Sequence, residues 1–239
     1  MTGKSIAAFG FVLLCGCGLW GCEAGERVRT GPLTHEAKSI DMGKYEMARI
    51  ELRMGAGELS VEGNSPKLLD ADFLYNVPSW KPIVESNTSS FRADVKIEQP
   101  PHAGAMGNRQ YKWDLHLNNA LPMNLVTNLG AGEARMDLGA LNLRSLQIHM
   151  GVGSLRLDLR GNPKSDYNVE IHGGVGEATV FLPKQAGISA TARGGIGDIQ
   201  VEGLENRGGR WINEAYGRAP VRIHLDIAGG VGNIRLVAE

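Results

Sequence analysis

Apolar and polar residues alternate on both sides of a Gly-x-Gly unit that occurs six times, beginning at Gly55, Gly130, Gly151, Gly174, Gly195 and Gly230. Five residues before the first glycine stand Ile50, Leu125, Leu146, Val169, Ala190 and Leu225, and three before it Leu52, Thr127, Ile148, Ile171, Ala192 and Ile227. Four residues after it come Leu59, Ala134, Leu155, Ala178, Ile199 and Ile234, then, two further on, Val61, Met136, Leu157, Val180, Val201 and Leu236. The intervening positions are mostly polar, as in Arg53, Asn128, His149, His172 and Arg193 two residues before the glycine, or Glu58, Glu133, Ser154, Glu177, Asp198 and Asn233 three after it. A period of two is the mark of half-buried strands, so each unit reads as strand, glycine corner, strand. The residues between the glycines, Ala56, Ala131, Val152, Val175, Ile196 and Val231, are apolar too and are read with the core.

Three consecutive spacings of 21, 23 and 21 residues describe the rungs of a β-solenoid, and the longer spacings of 75 and 35 describe rungs that carry insertions. One unit cannot bury its apolar face alone, whereas stacked units turn each apolar position into a continuous ladder. Identical corners on adjacent rungs would crowd any side chain, which explains the paired glycines Gly55 and Gly57, Gly130 and Gly132, Gly151 and Gly153, Gly174 and Gly176, Gly195 and Gly197, and Gly230 and Gly232. The solenoid is expected over 46–239. Inserted strands fall at 64–118, around "KLLDADFLYNVPSW", "FRADVKIEQ" and "YKWDLHLN", and a second insertion at 204–219. "QPPHAGAMGN" reads as a flexible loop, and no segment has the pattern of a long amphipathic helix.

The N-terminus departs from this pattern. One lysine precedes an apolar run from Ile6 to Leu14, followed by small residues and all three cysteines, Cys15, Cys17 and Cys22. This is the layout of a secretory signal; the uncharged stretch continues to Cys22, and a retained membrane anchor is the alternative. Cysteines directly after such a run resemble the lipobox of bacterial lipoproteins. Cys17 is the favoured acylation site because bulky Trp20 stands two residues before the alternative, Cys22. The expectation is a signal peptide at 1–16, a polar tether at 17–45, and an extracytoplasmic domain anchored to a bacterial envelope membrane through its lipid. No cysteine remains downstream, so a disulfide-stapled domain is excluded.

Composition narrows the function further. A net charge of -1 with no basic block argues against nucleic acid as a partner. A dinucleotide fingerprint needs Gly-rich sequence leading from strand into helix, whereas each unit here leads into another strand. "GGIGDIQV" superficially resembles calcium-loaded β-rolls, but the spacing is not nine residues and the acid falls one place early. His149 and His172 are expected to be neighbours on consecutive rungs, with Arg193 on the next; two imidazoles without a third ligand do not make a zinc site. Trp80, Trp113, Trp211 and Tyr216 lie in or beside the insertions, as covers or as an aromatic rim for sugar rings. No paired carboxylates or triad mark catalysis. The expected protein is therefore not an enzyme and takes no cofactor or metal. Its candidate partner-binding residues are His149, His172, Arg193, Trp211 and Tyr216, and its partners an envelope protein or cell-wall glycan. Self-association is a further expectation, because solenoid ends expose strand edges and the last rung stops at Glu239 without an obvious cap.

The stretch "WDLHLNNALPMNLVTNLGAGEARMDLGALNLRSLQIHMGVGSLRLDL" resembles the toast-rack domain, a β-solenoid family that includes the C-terminal domain of LiaF-type regulators of the cell-wall antibiotic response. The residues that carry the resemblance are the Leu-Pro-x-x-Leu step from Leu121 to Leu125, Gly-Ala-Gly-Glu at Gly130, Asp137-Leu138 and Gly-Val-Gly at Gly151. It covers roughly residues 45 to 239 and implies a non-enzymatic envelope protein that senses, scaffolds or adheres. LiaF-type regulators carry several N-terminal transmembrane helices, which this chain lacks; adhesins of related solenoid type are the alternative.

Overall fold

The structure, a computed structural model, describes residues 28–101, 105–106 and 108–239; the signal segment with Cys15, Cys17 and Cys22 lies outside the described residues. Alternation of large aliphatic and polar residues produces strands throughout. In chain order they are β1 (Val28–Arg29), β2 (Thr34–Ile40), β3 (Met47–Glu62), β4 (Leu69–Tyr75), β5 (Ile83–Thr88), β6 (Arg92–Glu98), β7 (Ala105–Met106) and β8 (Tyr111–Leu117). They continue as β9 (Met123–Asp137), β10 (Leu143–Asp158), β11 (Tyr167–Leu182), β12 (Gly187–Arg193), β13 (Ile199–Glu202), β14 (Glu205–Arg207), β15 (Arg210–Ile212) and β16 (Arg222–Ala238). A 3-10 turn at Pro78–Trp80 is the sole helical element among the described residues.

The architecture is an all-β solenoid. Strands β3, β9, β10, β11 and β16 each run through one Gly-x-Gly bend, so every rung has two arms meeting at a corner edge; turns join the arms along the opposite edge. Rungs pair parallel and in register, so that Ile50, Leu125, Leu146, Val169, Leu225 and Ala190 form one ladder and Val61, Met136, Leu157, Val180, Leu236 and Val201 another. The two arms enclose one apolar core in which Ile50, Leu125, Leu146, Leu157 and Val180 are wholly buried.

The rungs do not stack in chain order. The C-terminal strand β16 lies between β11 and β12, so the spatial sequence is β3, β9, β10, β11, β16 and then β12 with β13. The expectation that the rung ending at Glu239 is terminal is thus corrected. The outermost rung is the one at Gly195, whose first arm is covered by the hairpin β14–β15, while β13 on the second arm pairs only with β16. Because all rungs carry the same hydrogen-bonding edges and apolar ladders, the alternation fits either order.

The residues between the glycines are corrected as well. Val152, Val175, Val231 and Ile196 are 54%, 50%, 46% and 72% exposed. Inward positions run at five, three and one residues before the first glycine and at four and six after it, so the alternation loses a step at the bend. The second glycine makes that step with a positive φ, 140° at Gly153 and 145° at Gly176. The residue between them consequently stands at the apex, outside both arms.

Both ends carry added structure. The 64–118 insertion is divided between the arms: β6 and β5 extend the first arm beyond β3, and β8, β4 and β2 extend the second. β6 and β8 together make a split rung whose corner is replaced by the loop at 99–110. The polar stretch expected to be part of the tether contains β2, an edge strand that pairs along its length with β4 and so begins the fold at Thr34. β7, within the loop expected to be flexible, pairs with β1. Trp80 and Trp113 are core residues here, meeting Tyr111 edge to face at 5.5 and 5.8 Å, with Phe73 against Trp113 at 5.7 Å. Burial pushes the Tyr111 phenol well above its ordinary value, which keeps it neutral as a packing group.

Gln99 closes the first true corner. Its Oε1 accepts hydrogen bonds from the Gly55 amide at 2.7 Å and the Ala56 amide at 3.1 Å, the two donors that the loop would otherwise leave facing the split rung. Stranding buried donors costs about 1–3 kcal/mol. Gln99→Ala is expected to lower the unfolding free energy by about that amount, and Gln99→Glu, which keeps the acceptor, by less. Urea denaturation of the two variants beside the parent checks this; equal loss in both would assign the effect to shape rather than to the acceptor.

Candidate surface groove

The outward positions of the first arm form a flat polar face that ends at the corner. There a shallow groove of about 880 Å³ crosses β3, β9, β10 and β11, walled by Arg53, Gln99, Asn128, His149 and His172 and by the bare glycine corners. His149 and His172 pair in register on β10 and β11, and their rings stack with centroids 5.2 Å apart and planes 6° from parallel. The rung spacing and the shared outward position dictate this stacking. Arg53 is held by Glu51, and Gln147 donates to Glu170 at 3.3 Å one step further from the corner.

Arg193 is not the next neighbour of His172. Ala228 of β16 occupies that place, with Arg193 beyond it, paired to Asp226 at 3.0 Å. Trp211, on β15, sits opposite Ala190 and packs half-buried against the core as part of the end cover; Tyr216 lies in the following turn. The structure therefore brings His149 and His172 together and leaves Arg193, Trp211 and Tyr216 at the β12 end. Gln99, the further groove residue, carries no sequence signal, since it follows a strand like any polar residue. The groove offers a flat imidazole platform with amide, guanidinium and carboxylate groups around it, suited to a hydroxyl-rich or peptide ligand. The described residues include no group of three or more His, Cys, Asp or Glu arranged to hold a metal ion.

The second arm is different in chemistry. Glu58, Glu133, Ser154, Glu177, Asn233 and Asp198 line up in that spatial order, beside a ladder containing Arg135, Arg156 and Arg235. The Arg156 and Arg160 guanidinium groups lie over the Phe181 ring, 4.4 and 4.8 Å from its centre. Burial raises the Asp158 carboxyl, but hydrogen bonds and charge from Arg160 outweigh it and hold the group below its usual value, so this pair is a fixed ionic brace.

The extra glycine in the last three copies also finds its place. Gly173, Gly229 and Gly194 occupy the inward position next to the corner that Met54, Leu129 and Met150 fill in the earlier rungs. A Cβ at Gly173 would meet nothing within 4 Å, and a small apolar void of about 40 Å³ lies beside it, among Met150, Ile171, Ile227 and Ile234.

The family model described as the "N-terminal domain of toast_rack, DUF2154" matches residues 29–181. The chain belongs to the toast-rack family. A crystal structure of a candidate cell adhesion protein from Clostridium sporogenes is 33% identical, covers 87% of this toast-rack chain and all of its own, and superposes with a TM-score of 0.84. A candidate adhesin from Bacteroides fragilis, 11% identical over 87% of the chain and 99% of its own, has a TM-score of 0.36. No curated protein matches. Among the described residues no helix is long and apolar enough to cross a membrane.

Proposed function

We propose that this toast-rack protein is a non-catalytic, lipid-anchored module of the bacterial envelope that adheres to a cell-wall glycan or surface protein through the groove on its first arm. The single observation that supports this most is the 33% identity over 87% of the chain to the Clostridium sporogenes protein, a candidate cell adhesion protein. The groove adds a shape: it is open and four rungs long, as suits a chain-like ligand. Acylation at Cys17, or at Cys22 in the alternative frame, fixes the module to the membrane after export. Envelope-stress sensing is the second reading, favoured by the toast-rack membership itself; it requires a membrane protein partner rather than a glycan.

The test uses the full acylated chain, extracted in detergent and passed over isolated peptidoglycan sacculi, with parallel cross-linking in cells. Retention that falls at least about fivefold, or roughly 1 kcal/mol, in a His149→Ala/His172→Ala variant supports the adhesive reading. Retention unaffected by that variant moves the ligand away from the groove. Capture of a regulatory membrane protein with no retention on sacculi supports sensing instead.

A further inference from the structure

The exposed apolar residues are distributed unevenly. Nine large hydrophobic side chains are exposed among the described residues, and seven of them lie along the corner edge or just beside it. Val152, Val175, Val231 and Ile196 are the apices of four successive rungs, with Ile199 beside the last. Ala56 and Ala131 continue the row, so the ridge spans about 24 Å at the usual strand spacing. Ile83 opposes Glu98, itself opposite Arg53, which places it at the same edge; Leu33 immediately precedes Thr34, at the corner end of β2 opposite Tyr75. The opposite edge carries the other two, Met42 and Phe91, and is otherwise polar, with Asn119 bonded to Asn64, and Asn142 donating to the Ala120 carbonyl.

The chain also enters the fold at the apolar edge. Thr34 opposes Tyr75, Tyr75 opposes Tyr111, and Tyr111 stands beside Gly57 of the first corner; β1 pairs with β7 in the loop that replaces the split rung's corner. Val28 is only 11 steps along the chain from Cys17 and 6 from Cys22. Fully extended they reach no more than about 40 or 20 Å.

We infer that the corner edge lies on the lipid bilayer, with Val152, Val175, Val231 and Ile196 dipping into its interfacial layer. The inference rests on the lipid-anchor reading for the origin of the tether, and on the ridge itself for the orientation. A lipid surface is favoured over a second copy because the tether joins the fold at this edge and so brings it, ahead of the opposite one, toward the membrane. The charges flanking the ridge are of both signs, with Arg53 and Arg193 before the corner and Glu58, Glu133 and Glu177 after it, so contact depends on apolar insertion rather than on anionic lipid. In that pose the groove opens sideways at headgroup height.

The test places one reporter on each edge of the full acylated chain, reconstituted in 3:1 phosphatidylethanolamine and phosphatidylglycerol vesicles with brominated acyl chains. After subtraction of the parent signal, the indole added by Val175→Trp is expected to lose about threefold in emission, since interfacial apolar groups sit about 5–10 Å into the headgroup and acyl boundary. The indole added by Phe91→Trp on the opposite edge is expected to keep its emission. Equal emission from both while the chain stays on vesicles overturns the orientation alone. Loss of the chain from the vesicles overturns the anchor, and the inference with it. A two-chain mass in detergent, with an indole at the ridge that brominated lipid does not reach, overturns it in favour of a second copy.

Discussion

Gly176→Ala is expected to destabilise the protein by at least about 4 kcal/mol, at the extreme of single substitutions, whereas Gly173→Ala, three residues away, leaves it unchanged or slightly more stable. From Gly132 onward the second glycine of each corner lies against the carbonyl of the corresponding glycine on the preceding rung of the stack, while Gly57 lies against the Tyr111 carbonyl. A Cβ on Gly176 would overlap the carbonyl oxygen of Gly153, and the backbone there has φ near 145°, which L residues rarely adopt. Relief requires moving β11 away from β10 along its whole length, since the two are paired from Ser145 opposite Asn168 to Asp158 opposite Phe181. Neighbouring rungs supply most of a solenoid's stability, so a break in mid-stack also weakens the rungs beyond it. Gly173 has ordinary dihedrals and open space, and alanine there gains about 0.4–1 kcal/mol by restricting the unfolded chain. Urea titrations of the two variants give the comparison. A Gly176→Ala variant as stable as its parent would mean that the rungs do not touch at the corner.

The second large effect concerns the last strand. Ending the chain at Val221 is expected to abolish protection of β12 and of the β14–β15 hairpin, not merely to trim one end. β16 is paired to β11 from Tyr167 opposite Ile223 to Leu182 opposite Ala238, and on its other side it holds β12 and β13. It also contributes Ile223, Leu225, Ile227, Ile234 and Leu236 to the core. Without it, β12 has no partner except the two-residue contact with β15. Hydrogen exchange followed by mass spectrometry over residues 187–212 checks this: full exchange at the earliest time is the expected result. Persistent protection would show that β12 can occupy the vacant edge of β11 itself, since all rungs share one ladder pattern.

That shared pattern also explains what could be read from the amino-acid chain. The arms, corners and ladders were legible because alternation and the glycine requirement are local, and they repeat six times. The stacked imidazoles followed from register alone, His149 and His172 being at equivalent places in consecutive copies. The position of β16 was not legible, because an apolar strand such as Arg222–Ala238 suits either side of β12 equally well. Arg193 was consequently placed one rung too close to His172. The apices were misassigned because Val152 and Val175 look like core residues until the step in alternation at the positive-φ glycine is counted. β2 escaped notice for another reason: an edge strand exposed on both faces, as in "THEAKSI", needs no apolar period. Gln99 is visible only in three dimensions, where its amide replaces the backbone acceptor that a continuous rung would have provided.

The interior place of β16 bears on how such arrays lengthen in evolution. Tandem duplication at the end of a coding region usually adds a unit to the end of a repeat protein, where a free edge is ready to receive it. Here the final unit is lodged between two earlier ones, and a duplicate of residues 222–239 would emerge with both neighbouring edges already taken. Among the described strands the second arm has unpaired edges at β13 and at β2, both encoded upstream. A copy of that strand would have to reach β13 or β2 at the far ends of the stack to find a partner, so the interior place of β16 separates its position along the chain from its position in the array.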